Sequence, residues 1–109
     1  MSTISTHVLD TSLGKPAAGV RVTLRRDDSL IGSGVTDDDG RVRDLLEQGS
    51  SLAEGDYTLS FSVADYFATS KRDTFYSDIQ ISFHIASASE HYHVPLLLSP
   101  FGYSTYRGS

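Results

Sequence analysis

The chain has 109 residues, 39% of them hydrophobic, and a formal net charge of -5 at pH 7. This length predicts a single domain, residues 1–109, with a core of its own. The negative charge argues against nucleic acid or an anionic membrane surface as a partner, since such partners attract basic patches.

The sequence contains no cysteine. Disulfides, a thiol nucleophile and thiolate metal sites are therefore excluded. The first seven residues contain neither a basic region nor an apolar run, so no signal peptide is predicted. No stretch approaches the roughly 20 apolar residues that would span a bilayer. We therefore expect a cytoplasmic protein.

The first half of the chain predicts strands separated by turn residues. Ile4–Asp10 forms a short strand that ends at the turn 11–16. Val20, Val22 and Leu24 alternate with polar residues, which indicates a strand with one buried face.

Glycine and aspartate mark the next predicted elements. Residues 31–36 form a strand whose Gly32 and Gly34 indicate a bulge or a close backbone approach. Residues 37–40 read Asp-Asp-Asp-Gly, which predicts a tight hairpin turn. A strand at 41–45 follows, and then a loop rich in serine, glycine and acidic residues at 47–56.

The second half predicts one helix among strands. Apolar and polar residues alternate at 57–63 and at Ile79–Ile85, which is typical of strands. Residues 65–72 break this period and predict a short helix capped by Asp65.

Two further strands, at 92–98 and 103–107, complete the predicted set on either side of a Ser-Pro-Phe-Gly turn. Eight short strands and one short helix predict an all-β antiparallel sandwich of two sheets. Both terminal strands are unusually apolar or aromatic for exposed edges. Because exposed edges pair with other chains, a symmetric oligomer is expected.

Four histidines are candidates for a general base, because imidazole titrates near neutral pH. His91 and His93 are two residues apart, so on a strand they face the same side. His7 lies within the first predicted strand, and His84 lies on the polar face of its strand. We favour a structural role for His84, whereas catalytic and structural roles stay equally open for His91.

The remaining candidates are Arg41, Tyr106, Arg107 and Ser109. Arg41 follows the acidic turn, and the other three lie in the last four residues. Their ordinary interpretation is a solvated surface, so spacing alone predicts only a sandwich with a polar site. A His-x-His pair also suits two zinc ligands, but no third ligand is evident, so we predict no metal and no cofactor.

Five stretches carry a resemblance to a known family. They are STHVLD at 5–10, GKPA at 14–17, TDDDGR at 36–41, EHYHVPLLLS at 90–99 and YRGS at 106–109. In these stretches the chain resembles the transthyretin-like 5-hydroxyisourate hydrolases of urate breakdown, over essentially its whole length. The terminal Tyr-Arg-Gly-Ser is the most discriminating stretch, because the hydrolases carry it and the hormone-carrying transthyretins do not.

The resemblance implies an eight-stranded transthyretin-like (prealbumin-like) sandwich with one short helix, assembled as a homotetramer. Dimers would form by edge-to-edge strand pairing, and the active sites would lie in a channel at the dimer–dimer interface. The implied reaction is hydrolysis of 5-hydroxyisourate to 2-oxo-4-hydroxy-4-carboxy-5-ureidoimidazoline in purine degradation, without a cofactor.

The family's functional positions fall on six residues of this chain: His7, Arg41 and His93 as catalytic residues, and Tyr106, Arg107 and Ser109 as substrate-binding residues. In this hypothesis a histidine removes a proton from the attacking water, and Arg41 stabilises the oxyanion.

Two other functions stay open from the residues alone. One is a transthyretin-type carrier of small aromatic ligands without catalysis, and the other is a structural sandwich with zinc at His91 and His93. The polar residues His7, Arg41 and His93 favour the enzyme over the carrier, because a pocket for a hydrophobic hormone requires apolar walls.

Overall fold

A computed structural model describes residues 3–46 and 52–109. Within them, nine strands and one helix follow one another along the chain. The elements are β1 Ile4–Asp10, β2 Lys15–Pro16, β3 Arg21–Arg26, β4 Ser29–Val35, β5 Arg41–Val42, β6 Gly55–Phe61, α1 Val63–Thr69, β7 Ile79–Ile85, β8 Tyr92–Ser99 and β9 Gly102–Thr105. The predicted loop at 47–56 lies partly outside the described residues.

The strands form two sheets. The first has the order β2-β1-β8-β9, with β5 paired to β1 as well, and the second has the order β4-β3-β6-β7. The predicted all-β sandwich with one short helix is confirmed. The structure adds the two-residue strand β2, and it pairs β1 with β8 in parallel, whereas all other pairs are antiparallel.

The core lies between the inner faces of the two sheets. Period-two alternation places Val8 and Leu96 on the inner face of the first sheet and Leu24 and Leu59 on that of the second, all fully buried. Burying one such side chain contributes roughly 1.5–3 kcal/mol. The opposite face of the first sheet is left free for polar side chains.

The predicted hairpin at 37–40 is wrong, although the turn itself is present. Gly40 has φ of 75° as expected, but the strands on either side do not form a ladder, because β5 pairs with β1 in the other sheet. The chain crosses between the sheets close to β4: a Cβ at Gly32 would lie 1.6 Å from the carbonyl oxygen of Leu45. The close approach predicted from the glycines is therefore confirmed.

The helix begins earlier than predicted. It spans Val63–Thr69, and the cap residue is Ser62, whose side chain makes no capping hydrogen bond. Asp65 lies within the first turn, so the prediction of an Asp65 cap is wrong. Burial of Val63 and Phe67 against the core sets the start of the helix. No helix among the described residues is long and apolar enough to cross a membrane.

Strand β8 is not an exposed edge, contrary to the prediction. It lies between β1 and β9, and only β9 ends this side of the sheet. Three residues of its apolar run, Leu96, Leu97 and Leu98, are paired on both sides, with β1 and with β9. The parallel pairing with β1 accounts for the error, since it joins segments nearly ninety residues apart that share no local signal.

Candidate active site

The candidate site is built on the outer face of the strands β1 and β8. Their register places Ser5 beside His93 and His7 beside Pro95. Because side chains alternate along a strand, Ser5, His7 and His93 project from the face opposite the core. His7 and His93 therefore lie on the same side of the sandwich.

Arg41 reaches this face through the turn 37–40. In the ladder between β5 and β1, Arg41 lies opposite His7. The Asp37 carboxylate accepts the backbone N–H groups of Arg41 at 3.0 Å and Asp39 at 2.9 Å, and these hydrogen bonds lower the pKa of Asp37. The backbone N–H of Val8 donates to the Gly40 carbonyl at 2.7 Å. The turn is thus fixed to β1, and Arg41 with it.

A cavity of about 240 Å³ opens on this face. Its walls are formed by Ser5, Thr6, Arg41, Val42, Arg43, His91, His93 and Ser109. The cavity therefore brings together three of the six predicted residues, namely Arg41, His93 and Ser109. His7 lies on the same face beside Arg41, outside the cavity walls.

The surroundings of His93 favour its neutral form. Partial burial lowers its pKa from the ordinary 6.5, and the positive charge of Arg41 lowers it further, with smaller effects of His91 and His7. A lowered pKa keeps the imidazole neutral at pH 7, so one ring nitrogen retains a lone pair.

Two hydroxyl groups hold His93 on β8 and His91 just before it. Ser5 Oγ lies 2.7 Å from His93 Nδ1 and 3.3 Å from His91 Nε2. The Nδ1 of His91 is hydrogen-bonded to Thr3 Oγ1. The rings of His91 and His93 are nearly parallel, with 13° between their planes and 6.5 Å between their centroids.

The C-terminal tail returns to the same site. The backbone N–H of Gly108 donates to the His93 carbonyl at 2.8 Å, and Thr105 Oγ1 donates to the Pro95 carbonyl at 2.7 Å. These bonds carry the tail along β8 and deliver Ser109 to the cavity.

Tyr106 and Arg107 lie elsewhere. They line a second cavity of about 310 Å³, between β7 and the first residues of β8, whose walls include Phe83 and also His93. The Arg107 guanidinium pairs with Glu90 at 3.3 Å and lies 4.6 Å above the ring of Tyr92. Within the described chain, these two residues are therefore not brought to Arg41 and Ser109.

Sequence reasoning missed Ser5, Thr3 and Arg43 as parts of the site. The two-residue spacing of His91 and His93 was the only signal in the sequence for this part of the site. Nothing local predicts that β1, which carries Ser5, lies beside β8. His84 pairs with Asp56 at 2.8 Å on the exposed face of the other sheet, in keeping with a structural role. The described residues contain no group of three or more His, Cys, Asp or Glu side chains that could hold a metal ion.

These features define a β-sandwich whose outer face carries a cationic, imidazole-bearing cavity. The sequence matches the HIUase/Transthyretin family over residues 4–108, and the chain belongs to that family. It is 48% identical over 110 residues to the 5-hydroxyisourate hydrolase of Salmonella dublin. The matched region covers 97% of this chain and 80% of the relative.

Solved structures agree with this assignment. The 5-hydroxyisourate hydrolase of Klebsiella pneumoniae is similar with a TM-score of 0.90 and 40% identity, over 100% of this chain and 94% of that one. Sea bream transthyretin in complex with thyroxine is similar with a TM-score of 0.87 and 27% identity, over 97% of this chain and 94% of that one.

Proposed function

We propose that residues 1–109 form a single hydrolase domain that opens the ring of 5-hydroxyisourate by adding water, in the degradation of urate. The observation that carries the proposal is the cavity that joins a neutral imidazole, His93, to a guanidinium, Arg41. The similarity to hydrolases that bear this name supports the choice of substrate.

The proposed reaction has a base and an oxyanion stabiliser. His93 removes a proton from a water molecule as the water oxygen bonds to a ring carbonyl carbon. The carbonyl oxygen takes up negative charge, which Arg41 stabilises by about 3 kcal/mol if it acts as one well-placed donor. The adjacent C–N bond then breaks, and the imidazolium returns its proton to the leaving nitrogen. A positioned base of this kind contributes roughly 10²–10⁴-fold in rate.

The other predicted residues belong to the same proposal. His7 lies beside Arg41 and is proposed to orient substrate or to share the role of base. The Ser109 hydroxyl lies at the cavity and is proposed to hydrogen-bond the polar edge of the substrate. Tyr106 and Arg107 would bind substrate only if a neighbouring subunit brought them to a shared site.

We also propose that the protein is a homotetramer with shared sites at the dimer–dimer interface, and that it is cytoplasmic. Exposed apolar residues support an assembly: Phe75 is 76% exposed and Phe101 is 71% exposed. A cavity on an open sheet face would become a closed channel when a second sheet packs over it. A mass of four chains in analytical ultracentrifugation is the expected result.

A carrier without catalysis is the weaker candidate. The walls of the cavity include Arg41, Arg43 and two histidines, and such polar walls are unfavourable for a hydrophobic ligand.

The ultraviolet decay of 5-hydroxyisourate tests the function. The substrate is generated in place from urate by a urate oxidase, and its spontaneous decay gives the baseline. Addition of catalytic amounts of the protein is expected to accelerate the decay in proportion to protein concentration. Decay at the baseline rate with a folded protein would contradict the proposal.

A further inference from the structure

Ser5 is buried although it lies on the outer face of its sheet. Its exposure is only 8%, because His91 and His93 flank it. Its hydroxyl oxygen is within hydrogen-bond distance of a nitrogen of each ring, His93 Nδ1 and His91 Nε2. With the contact between His91 Nδ1 and Thr3 Oγ1, four side chains form one polar chain.

The number of protons available allows this chain two directions, of which only one leaves His93 Nε2 free to act as a base. A hydroxyl has one proton, and a neutral imidazole has one donor and one acceptor nitrogen. If His93 Nδ1–H donates to Ser5, the Ser5 hydroxyl donates to His91 Nε2, and His91 Nδ1–H donates to Thr3. Every contact is then satisfied, and His93 Nε2 keeps its lone pair. In the opposite direction the proton of His93 would sit on Nε2, where it would prevent that nitrogen from acting as a base.

Protonation of His93 selects the same direction. Both nitrogens of an imidazolium carry protons, so Ser5 must accept from Nδ1 and must pass its own proton to His91. The hydroxyl therefore keeps one orientation before and after the proton transfer. Without the hydroxyl oxygen, the Nδ1–H group would lose its side-chain acceptor at a partly buried position, and the backbone of Ser5 alone would remain beside it.

We propose that Ser5 is a positioning residue, which holds His93 with its proton on Nδ1 and leaves its Nε2 free for the reacting water, while His91 accepts the Ser5 hydroxyl. The inference deepens the proposed hydrolase function and rests on it for its kinetic consequences.

The surroundings of His93 fix the sign of the expected change with pH. Its neighbours from the other strands are His7 on β1 and Arg41 on β5, with Arg43 on the same cavity wall and His91 just before its own strand. Arg41, His91 and His7 each disfavour the imidazolium of His93 by charge repulsion. The backbone of Ser5 favours the imidazolium, and in this proposal the hydroxyl favours it as well, by accepting from Nδ1–H. Loss of the hydroxyl should therefore move the acid limb of the pH–rate profile to lower pH.

The kinetic experiment compares Ser5→Ala with Ser5→Thr, which restores a hydroxyl. For Ser5→Ala we expect kcat to fall about tenfold, as for the loss of one hydrogen bond to a charged group. KM should change little, the acid limb should shift to lower pH, and Ser5→Thr should recover most of kcat. The matched control is Thr58→Val, which removes a hydroxyl from the exposed pair Thr58–Ser82 on the other sheet and should behave as wild type.

Unchanged kcat and an unchanged pH profile in a folded Ser5→Ala protein would overturn the inference. So would equal losses in Ser5→Ala and Ser5→Thr accompanied by equal losses of thermal stability, because that outcome indicates packing alone.

A second readout does not depend on activity. Ring ¹⁵N chemical shifts, assigned through single histidine substitutions, report which nitrogen of His93 carries the proton. We expect the Nδ1–H form in the wild type above the pKa of His93 and a mixture in Ser5→Ala; the Nε2–H form in both would overturn the inference. If the wild-type protein fails to accelerate the decay of 5-hydroxyisourate, the proposed function falls, and this measurement still decides the role of Ser5.

Discussion

Gly108 packs directly against the imidazole of His93. A Cβ at this position would lie 2.5 Å from His93 Cδ2 and 3.2 Å from Pro95 Cγ. Such distances are shorter than van der Waals contact, so any side chain at 108 must displace the ring. The imidazole of His93 is therefore held on two sides. The Ser5 hydroxyl contacts its Nδ1, and Gly108 in the C-terminal tail packs against its Cδ2.

We expect Gly108→Ala to lower kcat/KM by on the order of 100-fold, because a displacement of a catalytic group by about 1 Å can have that effect. Thermal stability should change little, since the clash affects a partly buried side chain and the tail rather than the core between the sheets. Steady-state kinetics on 5-hydroxyisourate and a melting curve measure the two quantities.

Gly102→Ala is the matched control. It lies in the same C-terminal hairpin, and its Cβ would be 3.7 Å from Ser99 Oγ, an ordinary contact. Its kinetics should be those of the wild type. Equal activity of the two glycine variants would show that the tail does not fix His93.

Strand β1 and helix α1 are joined by a buried carboxylate. Asp10, at the end of β1, is fully buried and accepts hydrogen bonds from Arg72 at 2.7 Å, Tyr66 at 2.7 Å and Ser12 at 2.6 Å. Burial alone would raise the pKa of Asp10, but these hydrogen bonds outweigh it and lower the pKa to about 2. The Arg72 guanidinium also lies 4.9 Å above the ring of Phe67.

The lowered pKa of Asp10 makes stability depend on pH at the acid end. The ionised form stabilises the fold above the ordinary pKa of 3.8, and this contribution is lost as the pH falls toward about 2. The difference corresponds to about 2 kcal/mol. The free energy of unfolding should therefore decline between about pH 4 and pH 2, and Asp10→Asn should flatten this decline.

We expect Arg72→Ala to lower the free energy of unfolding by about 3 kcal/mol at pH 7, because it leaves the buried Asp10 carboxylate without its cation. Arg107→Ala is the matched control: the pair with Glu90 is about half exposed on both sides and should contribute less than about 1 kcal/mol. Urea denaturation measures both. Equal effects would contradict the structural role assigned to Asp10 and Arg72.

At the scale of elements, the sequence predicts strands well and their partners poorly. β1 and β7 have the predicted bounds. In β7 apolar and polar residues alternate regularly, and β1 ends where the turn residues after Asp10 predict. The predicted hairpin at 37–40 is wrong. A local Asp-Asp-Asp-Gly pattern predicts the turn, but it does not indicate which sheet the following strand joins. The start of α1 was wrong because burial of Val63, rather than capping, determines it.

The site as a whole draws on four distant parts of the chain: β1, β5, the start of β8 and the C-terminal tail. Family resemblance predicted Arg41, His93 and Ser109, which line one cavity, whereas composition and spacing predicted only a polar site. Ser5 could not be predicted, because its role depends on the register of two parallel strands separated by most of the chain. Single residues of ordinary type carry no signal of such a contact.

The central claim is that His93 is the base and acts beside Arg41 in this cavity. Turnover of freshly generated 5-hydroxyisourate by His93→Ala tests it most directly, with His84→Ala, the exposed histidine paired to Asp56, as the matched control. We predict that kcat/KM of His93→Ala falls by on the order of 100-fold or more, while His84→Ala keeps the wild-type value. Full turnover by a folded His93→Ala protein would contradict the account.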